Sequence, residues 1–108
     1  MTKVLFVAAK KAAITDDEFA VYWQQVHAPL VSVLPGLRRH VINIGNSAAS
    51  STAAACDGVG ELWFESEAAW KQALASPEGR AVLADSPNFC APSSGWCEVE
   101  ESEAFTAA

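Results

Sequence analysis

Two short segments of this chain place large apolar side chains on both faces of a β-strand, and this constrains the fold more than any other feature. Residues 3–9 are KVLFVAA and residues 57–64 are DGVGELWF. Successive side chains of a strand point to opposite sides, so each segment needs a cover on both of its faces. The sequence therefore predicts two central strands, with helices over one face of the sheet and a further layer over the other.

The predicted order is strand, helix, strand in each half of the chain, and the two halves are similar in length. The strands are predicted at 3–9, 38–45, 57–64 and 96–101, with one helix at 15–34 and further helical segments after Ser66 and over 77–84. This order is typical of a ferredoxin-like α+β fold, βαββαβ, whose antiparallel four-stranded sheet pairs strands one and three at its centre. The helices cover one face only, so we expect a homodimer in which two sheets pack face to face as an α+β barrel.

The length and charge of the chain restrict its class. A length of 108 residues suits a single domain, 1–108, and 51% of the residues are apolar. The formal net charge is −6 with no basic cluster, so nucleic acid and anionic membrane surfaces are poor partners. No apolar run approaches the roughly 20 residues of a transmembrane helix. The N-terminal MTKVLFVAAKK predicts a strand rather than a signal peptide, and we expect a cytoplasmic protein.

The cysteines and glycines indicate neither a metal nor a bound cofactor. Cys56, Cys90 and Cys97 are odd in number and form no CxxC pair, and the two histidines complete no zinc pattern. Three free thiols in a reducing compartment is the simplest interpretation. A phosphate loop, a nucleophile elbow and a dinucleotide fingerprint are all missing from the sequence, so no cofactor is implied.

The first helix has a clear start and an interruption. Thr15 and Glu18 form a capping box, in which each side chain reaches the backbone N–H of the other residue. Pro29 lacks a backbone donor and frees the carbonyl of Gln25, which predicts a kink or restart just after His27. The apolar residues of this helix have the three-four spacing of one face: Phe19, Trp23, Val26, Leu30 and Val33.

His27 is the most informative single residue. It lies one turn after Trp23 and close to Leu30 on the same face, so it points toward the core rather than toward water. One interpretation is a core histidine that bonds the carbonyl freed by Pro29. The other is an acid or base that lines a pocket, since an imidazole titrates near neutral pH. The two are compatible, because a bonded ring nitrogen fixes the tautomer of the other.

Three further residues border the expected position of His27. Asp57 opens the third strand beside Gly58 and is either a strand-end aspartate or the partner that orients His27. Trp23 is expected in the core, with its indole N–H in need of an acceptor. Tyr22 is expected to border the pocket and to present its hydroxyl to a ligand.

Four other features are assigned more ordinary roles. Alternation places Glu61 on the face of the sheet that dimerises, paired with Arg38 or Arg39 of either subunit. His40 is expected on a strand or at a rim rather than in the pocket, and Cys56 is a spectator because nothing basic adjoins it. Residues 46–55, NSAASSTAAA, are expected to form a mobile surface loop.

Four segments together resemble the EthD family, within the dimeric α+β barrel superfamily. They are YWQQVHAPL, LPGLRRHV, DGVGELWFES and ALASPEGRAVLAD, and they span most of the chain in the family's order. Relatives in the superfamily include cofactor-free monooxygenases, polyketide cyclases and muconolactone isomerases, which act mostly on hydrophobic ring compounds. One departure is that methylmuconolactone-isomerising relatives carry a cysteine in the third strand, where this chain has Leu62.

The resemblance implies a sheet-to-sheet homodimer with a pocket between sheet and helices, and a small hydrophobic ring or lactone compound as the ligand. It implies proton-transfer chemistry (isomerisation, dehydration or cyclisation) with His27 as acid or base and Asp57 as its partner. The pocket would be bordered by Tyr22, Trp23, Leu62 and Phe64. The alternative is an accessory protein without catalysis, which binds a hydrophobic intermediate or passes it to an oxygenase system.

Overall fold

A computed structural model describes residues 1–45 and 56–108, and in it the predicted order of strands and helices is present. The loop predicted at 46–55 lies outside the described residues. The strands are β1 (Thr2–Ala8), β2 (Leu37–Ile44), β3 (Gly58–Phe64) and β4 (Gly95–Val99), and the helices are α1 (Asp16–Tyr22), α2 (Ala28–Ser32), α3 (Glu67–Ala75) and α4 (Pro77–Asp85). A π-helical turn, Trp23–His27, joins α1 to α2, and a 3₁₀ turn, Ser86–Asn88, follows α4.

The four strands form one antiparallel sheet in the order β2-β3-β1-β4. Its centre is the pair of β1 and β3, in a register that sets Val4 opposite Leu62 and Phe6 opposite Gly60. On the outer side of β3, His40 of β2 also lies opposite Leu62. The ferredoxin-like prediction is confirmed, including the central position of the first and third strands.

The two faces of the sheet differ in what covers them. Against the helices, Val4, Phe6, Leu62 and Phe64 are almost fully buried. On the opposite face no helix of the described residues lies over the sheet, and Val7 keeps 37% of its surface exposed. The apolar residues on this open face are Leu5, Val7, Val41, Val59, Trp63 and Val99.

The first helix begins as predicted. The Thr15 hydroxyl accepts from the backbone N–H of Glu18 at 3.1 Å, and the Glu18 carboxylate accepts from the backbone N–H of Thr15 at 3.0 Å. At the other end, Pro29 has no N–H to offer the carbonyl of Gln25, and the turn before it widens. The N–H of Ala28 bonds to the carbonyl of Trp23, five residues back.

The wider turn changes which residues face the core. Val26 is 45% exposed and Val33 is 62% exposed, so the prediction that both lie on the buried stripe is wrong. In a regular α-helix, residues spaced by four drift steadily around the helix axis. The extra residue in the π turn cancels this drift. The buried stripe is therefore Phe19, Trp23, His27, Val31 and Leu34.

The second half of the chain follows its predicted caps. Ser66 caps α3 through the N–H of Ala69, and Ser76 caps α4 through the N–H of Gly79, with Pro77 at the first helical position. Among the residues described, no helix combines the length and the apolar content needed to cross a membrane.

Candidate functional site

His27 lies in the interior, at the end of the π turn, and its partner is an aspartate on another helix. The side chain is 2% exposed, and its Nδ1 lies 2.8 Å from Oδ2 of Asp85, the last residue of α4. The contact joins residues 58 positions apart in sequence, so only the packing of α4 against the first helical segment creates it. The site therefore depends on the fold and on no local motif.

Asp85 collects three hydrogen-bond donors. Its Oδ1 accepts from the Tyr22 hydroxyl at 2.6 Å and from Nδ2 of Asn88 at 3.1 Å, while its Oδ2 faces His27. Burial opposes ionisation of Asp85, but the bonds from Tyr22, His27 and Asn88 outweigh it and lower the pKa of the carboxyl. The same carboxylate raises the pKa of Tyr22, because it accepts the hydrogen bond that the tyrosine hydroxyl donates. Asp85 is therefore ionised and Tyr22 protonated at neutral pH.

The protonation state of His27 follows from its burial. Desolvation lowers the pKa of His27 below its ordinary value of 6.5, and the contact with Asp85 offsets only part of that effect. At neutral pH the ring is uncharged and has one N–H. An ionised Asp85 can only accept at Nδ1, so the proton sits on Nδ1 and Nε2 carries the lone pair. This arrangement makes Nε2 a proton acceptor of fixed orientation.

A cluster of aromatic rings lies beside the histidine. The centroid of the fully buried Phe89 lies 4.7 Å from that of His27 and 5.2 Å from that of Tyr22, against which it stacks. Trp23 is fixed against bare backbone, since a Cβ on Gly58 would stand 2.6 Å from its ring. Apolar walls of this kind exclude water and strengthen electrostatic contacts inside them.

Asp57 does not pair with His27, so that prediction is wrong. Asp57 is exposed, and its Oδ2 accepts from the backbone N–H of Lys10 at 2.7 Å. Its own backbone N–H donates to the carbonyl of Ala8 at 2.8 Å. Asp57 therefore joins the end of β1 to the start of β3, which is the strand-end role that the sequence left open. The alternative bond from His27 to the carbonyl of Gln25 is replaced by the contact with Asp85.

The predicted pocket residues divide between two places. Tyr22 belongs to the site, although its hydroxyl donates to Asp85 rather than pointing to a ligand. Trp23 packs in the same aromatic cluster as Phe89. Leu62 and Phe64 are fully buried in a separate cluster beneath α3, where Phe64 contacts Trp70. A contact of Leu62 or Phe64 with a ligand stays a prediction.

The charged residues of the open sheet face are arranged differently from the prediction. Glu61 does lie on that face, but within the chain its cation is Lys3, with Nζ 3.2 Å from Oε1. Arg39 instead lies over the ring of Trp63, with its guanidinium carbon 4.7 Å from the centroid, and Arg38 pairs with Glu65. The predicted partnership of Glu61 with Arg38 or Arg39 is therefore not formed within one subunit.

The thiols take no part in the site. All three cysteines are free, as predicted. Burial raises the pKa of Cys90 to about 11, so this thiol stays protonated at neutral pH. A cleft of about 310 Å³ opens beside it between the sheet and the end of α4, with a largely apolar lining that includes Phe6, Leu83, Pro87 and Trp96. His27 and Asp85 do not line this cleft.

Sequence reasoning missed Asp85 and Asn88, although one signal was available. Asp85 ends a helix, where the aligned backbone dipoles place partial negative charge and disfavour a carboxylate. An acidic residue in that position needs compensating donors, and Tyr22, His27 and Asn88 supply them. The anomaly marks Asp85 as a candidate, but it does not identify the donors.

Comparison with known proteins gives one relative by sequence. The chain is 35% identical over 71 residues to an uncharacterized 11.0 kDa protein of the thcB–thcC intergenic region of Rhodococcus erythropolis. The matched stretch covers 66% of this chain and 68% of that protein.

Solved structures share the fold at lower identity. An EthD family protein from Bacillus halodurans superposes with a TM-score of 0.76 at 22% identity, over 94% of this chain and all of that one. A dimeric ferredoxin-like protein of unknown function from Thermobifida fusca gives 0.70 at 15%, over 91% and 88%. SnoaB, a cofactor-independent oxygenase from Streptomyces nogalater, gives 0.62 at 16%, over 97% and 98%.

The EthD domain model matches residues 11–93. This stretch includes α1 to α4, β2, β3 and all of the residues around His27. The sequence relative and the superposition with an EthD protein agree with this match. The chain belongs to the EthD family.

Proposed function

We propose that this protein is a cofactor-independent enzyme that moves a proton on a small hydrophobic ring or lactone compound. Isomerisation, dehydration and cyclisation all need such a step. His27 would be the acid and base, with Asp85, rather than Asp57, as the group that orients it. The carrying observation is the 2.8 Å contact that fixes the tautomer of a buried, uncharged imidazole.

The chemistry assigned to His27 needs the lone pair at Nε2 and the carboxylate of Asp85. A base is most effective when its pKa lies near the working pH and its lone pair has a fixed direction. The ionised Asp85 holds Nδ1–H and stabilises the imidazolium that forms when Nε2 takes a proton. The aromatic surroundings suit an apolar ring as the ligand. The fold is shared with a cofactor-independent oxygenase, which supports chemistry carried by side chains alone.

A non-catalytic binding protein is the second candidate, and two observations favour it. His27 is 2% exposed, and the cleft beside Trp96 contains neither His27 nor Asp85. In this alternative, the contacts among His27, Asp85 and Tyr22 hold two helices together, and the cleft carries a hydrophobic intermediate to a partner oxygenase.

Exchange of carbon-bound protons distinguishes the two candidates without knowledge of the substrate. Cyclic ketones and butenolides are incubated with the protein in D₂O, and loss of the α-proton signal is followed by NMR. An enzyme of the proposed kind should accelerate exchange, and His27→Gln should reduce the acceleration by about 10²–10⁴-fold, as expected for loss of a general base. Equal exchange with and without wild-type protein across the panel would reject the enzymatic function. If a compound of this panel binds, and its binding is weakened by Trp96→Ala but unaffected by His27→Gln, the result would support the carrier protein.

A further inference from the structure

A second histidine lies on the same side of the sheet as His27. His40 is on β2 opposite Leu62, and Leu62 faces the helices, so His40 faces them too. Its Nε2 lies 3.9 Å from the point where a Cβ would stand on Gly60, and the Trp23 ring lies 3.3 Å from that point. His40 and Trp23 therefore both lie against the bare backbone of Gly60. His27 follows Trp23 by one turn of the same helical segment.

The two imidazoles are close enough to influence one another. The pKa of His40 is lowered to about 4, chiefly by desolvation and to a smaller extent by the charge of a protonated His27. His27 is the one ionisable group that affects His40 within the described part of the chain. His40 is only partly buried, and no hydrogen bond joins its ring to another described residue. It is therefore an uncharged imidazole with an N–H available for a ligand.

The roles of the two rings are complementary. His27 offers a lone pair at Nε2, because its N–H is held by Asp85. His40 is uncharged at neutral pH and offers an N–H. A base beside an uncharged donor is an arrangement that forms an enolate. The base removes the proton from carbon, and the donor keeps its N–H and stabilises the negative charge on oxygen through a hydrogen bond.

We propose that His40 donates its N–H to the carbonyl oxygen of a cyclic ketone or lactone while Nε2 of His27 removes the proton from the adjacent carbon. This inference rests on the proposed function and names its substrate class. The C–H bond breaks and its proton moves to His27. The bonding electrons form a C=C bond, and the carbonyl π electrons move to the oxygen, which accepts from His40. Where the ring carries a C=C bond next to that carbon, the anion is a dienolate. The carbonyl C=O then re-forms, the C=C bond shifts by one position, and the far carbon of the dienolate takes the proton back from His27, which regenerates the enzyme and completes the isomerisation.

The test uses 4-nitrophenol, whose phenolate resembles an enolate in shape and charge and absorbs differently from the phenol. Wild-type protein should bind the phenolate in preference to the phenol, which lowers the apparent pKa of the bound probe. His40→Leu removes the donor and should weaken phenolate binding about ten- to hundredfold, the value of a hydrogen bond to a charged group. His40→Gln keeps an uncharged N–H and should retain most of the preference. Asn43→Leu, on the other face of the same strand, is the matched control and should bind as wild type does.

The outcomes separate this inference from the proposed function. Unchanged phenolate binding by His40→Leu, or no preference for phenolate in wild type, overturns the role of His40. If the preference depends on His40 but no ketone exchanges its α-protons, the oxyanion site stands and the enzymatic function fails.

A second measurement applies if His40→Leu does not fold. In wild-type protein the ring of His40 should titrate near pH 4 by NMR. Its protonated ring nitrogen should shift when 4-nitrophenol is added. A ring that titrates as an exposed histidine, or that does not respond to the probe, contradicts the inference.

Discussion

Nδ1 of His27 faces Oδ2 of Asp85 at 2.8 Å, and this contact joins the π turn of the first helical segment to the last residue of α4. Pro29 favours the wider turn, the wider turn directs His27 inward, and the caps at Ser66 and Ser76 set the path that brings Asp85 to meet it. In a uniform α-helix, residues spaced by four drift around the axis by about 40° at each step, so Phe19, Trp23, His27 and Val31 could not all keep to one buried line. The π turn is therefore the local feature on which the site depends.

Replacing the carboxylate should change the titration of His27. Asp85 raises the pKa of His27 against the larger effect of burial, so Asp85→Asn should lower that pKa further. Loss of the charged acceptor should also reduce the free energy of unfolding by about 1–3 kcal/mol. NMR titration of the ring and denaturant unfolding measure the two effects. Asp57→Asn is the matched control and should leave the His27 titration unchanged, because Asp57 bonds Lys10 instead.

The tyrosine hydroxyl should act on His27 through Asp85. Tyr22→Phe removes one of the bonds that keep Asp85 ionised, so the pKa of Asp85 should rise. The ring stays stacked on Phe89, so the cost should be limited to the hydrogen bond, about 1 kcal/mol of unfolding free energy. Chemical denaturation and carboxyl ¹³C NMR measure these changes. An unchanged pKa at Asp85 would show that the other two donors suffice.

Stability should fall on the acid side of neutrality. Both histidines have a folded-state pKa below the ordinary 6.5, so as the pH drops the unfolded chain takes up protons first. The free energy of unfolding should therefore decrease from about pH 6.5 down to about 4, the pKa of folded His40, while Asp85 contributes to the loss only below 3.8. Urea denaturation at several pH values measures this slope. His27→Gln combined with His40→Gln should flatten it, and a slope of equal size in that variant would assign the effect elsewhere.

Patterns that are local in sequence predicted most of the fold. Alternation gave the correct faces for β1 and β3, and the Thr15 and Ser76 caps placed helix starts within a residue. The prediction failed where one turn departed from regular geometry. Val26 and Val33 were placed inward by a three-four period, and the π turn shifts that period by one residue.

The histidine was predictable and its partner was not. His27 stands out because a polar side chain interrupts an apolar stripe, which is a local signal. Asp85 is 58 residues away, and its contact depends on how α4 packs. Asp57 was the nearer candidate along the predicted sheet, but a strand-end carboxylate is satisfied by the backbone it adjoins. His40 faces the helices by alternation, and only the packing of Trp23 over Gly60 shows that it lies beside the residue one helical turn before His27.

The open face of the sheet should bind a second copy of the chain. Its apolar residues, among them Leu5, Val7 and Val59, have no helix over them within the described residues, and a protein of the same fold from Thermobifida fusca is dimeric. Light scattering should therefore give twice the chain mass. Val7→Lys places a charge at the centre of this face and should shift the protein toward monomer, with a lower melting temperature than wild type. The melting temperature of the wild-type dimer should rise with protein concentration. Val33→Lys, at the exposed turn that follows α2, should stay dimeric. A wild-type monomer at micromolar concentration would leave this apolar face unexplained and contradict the barrel.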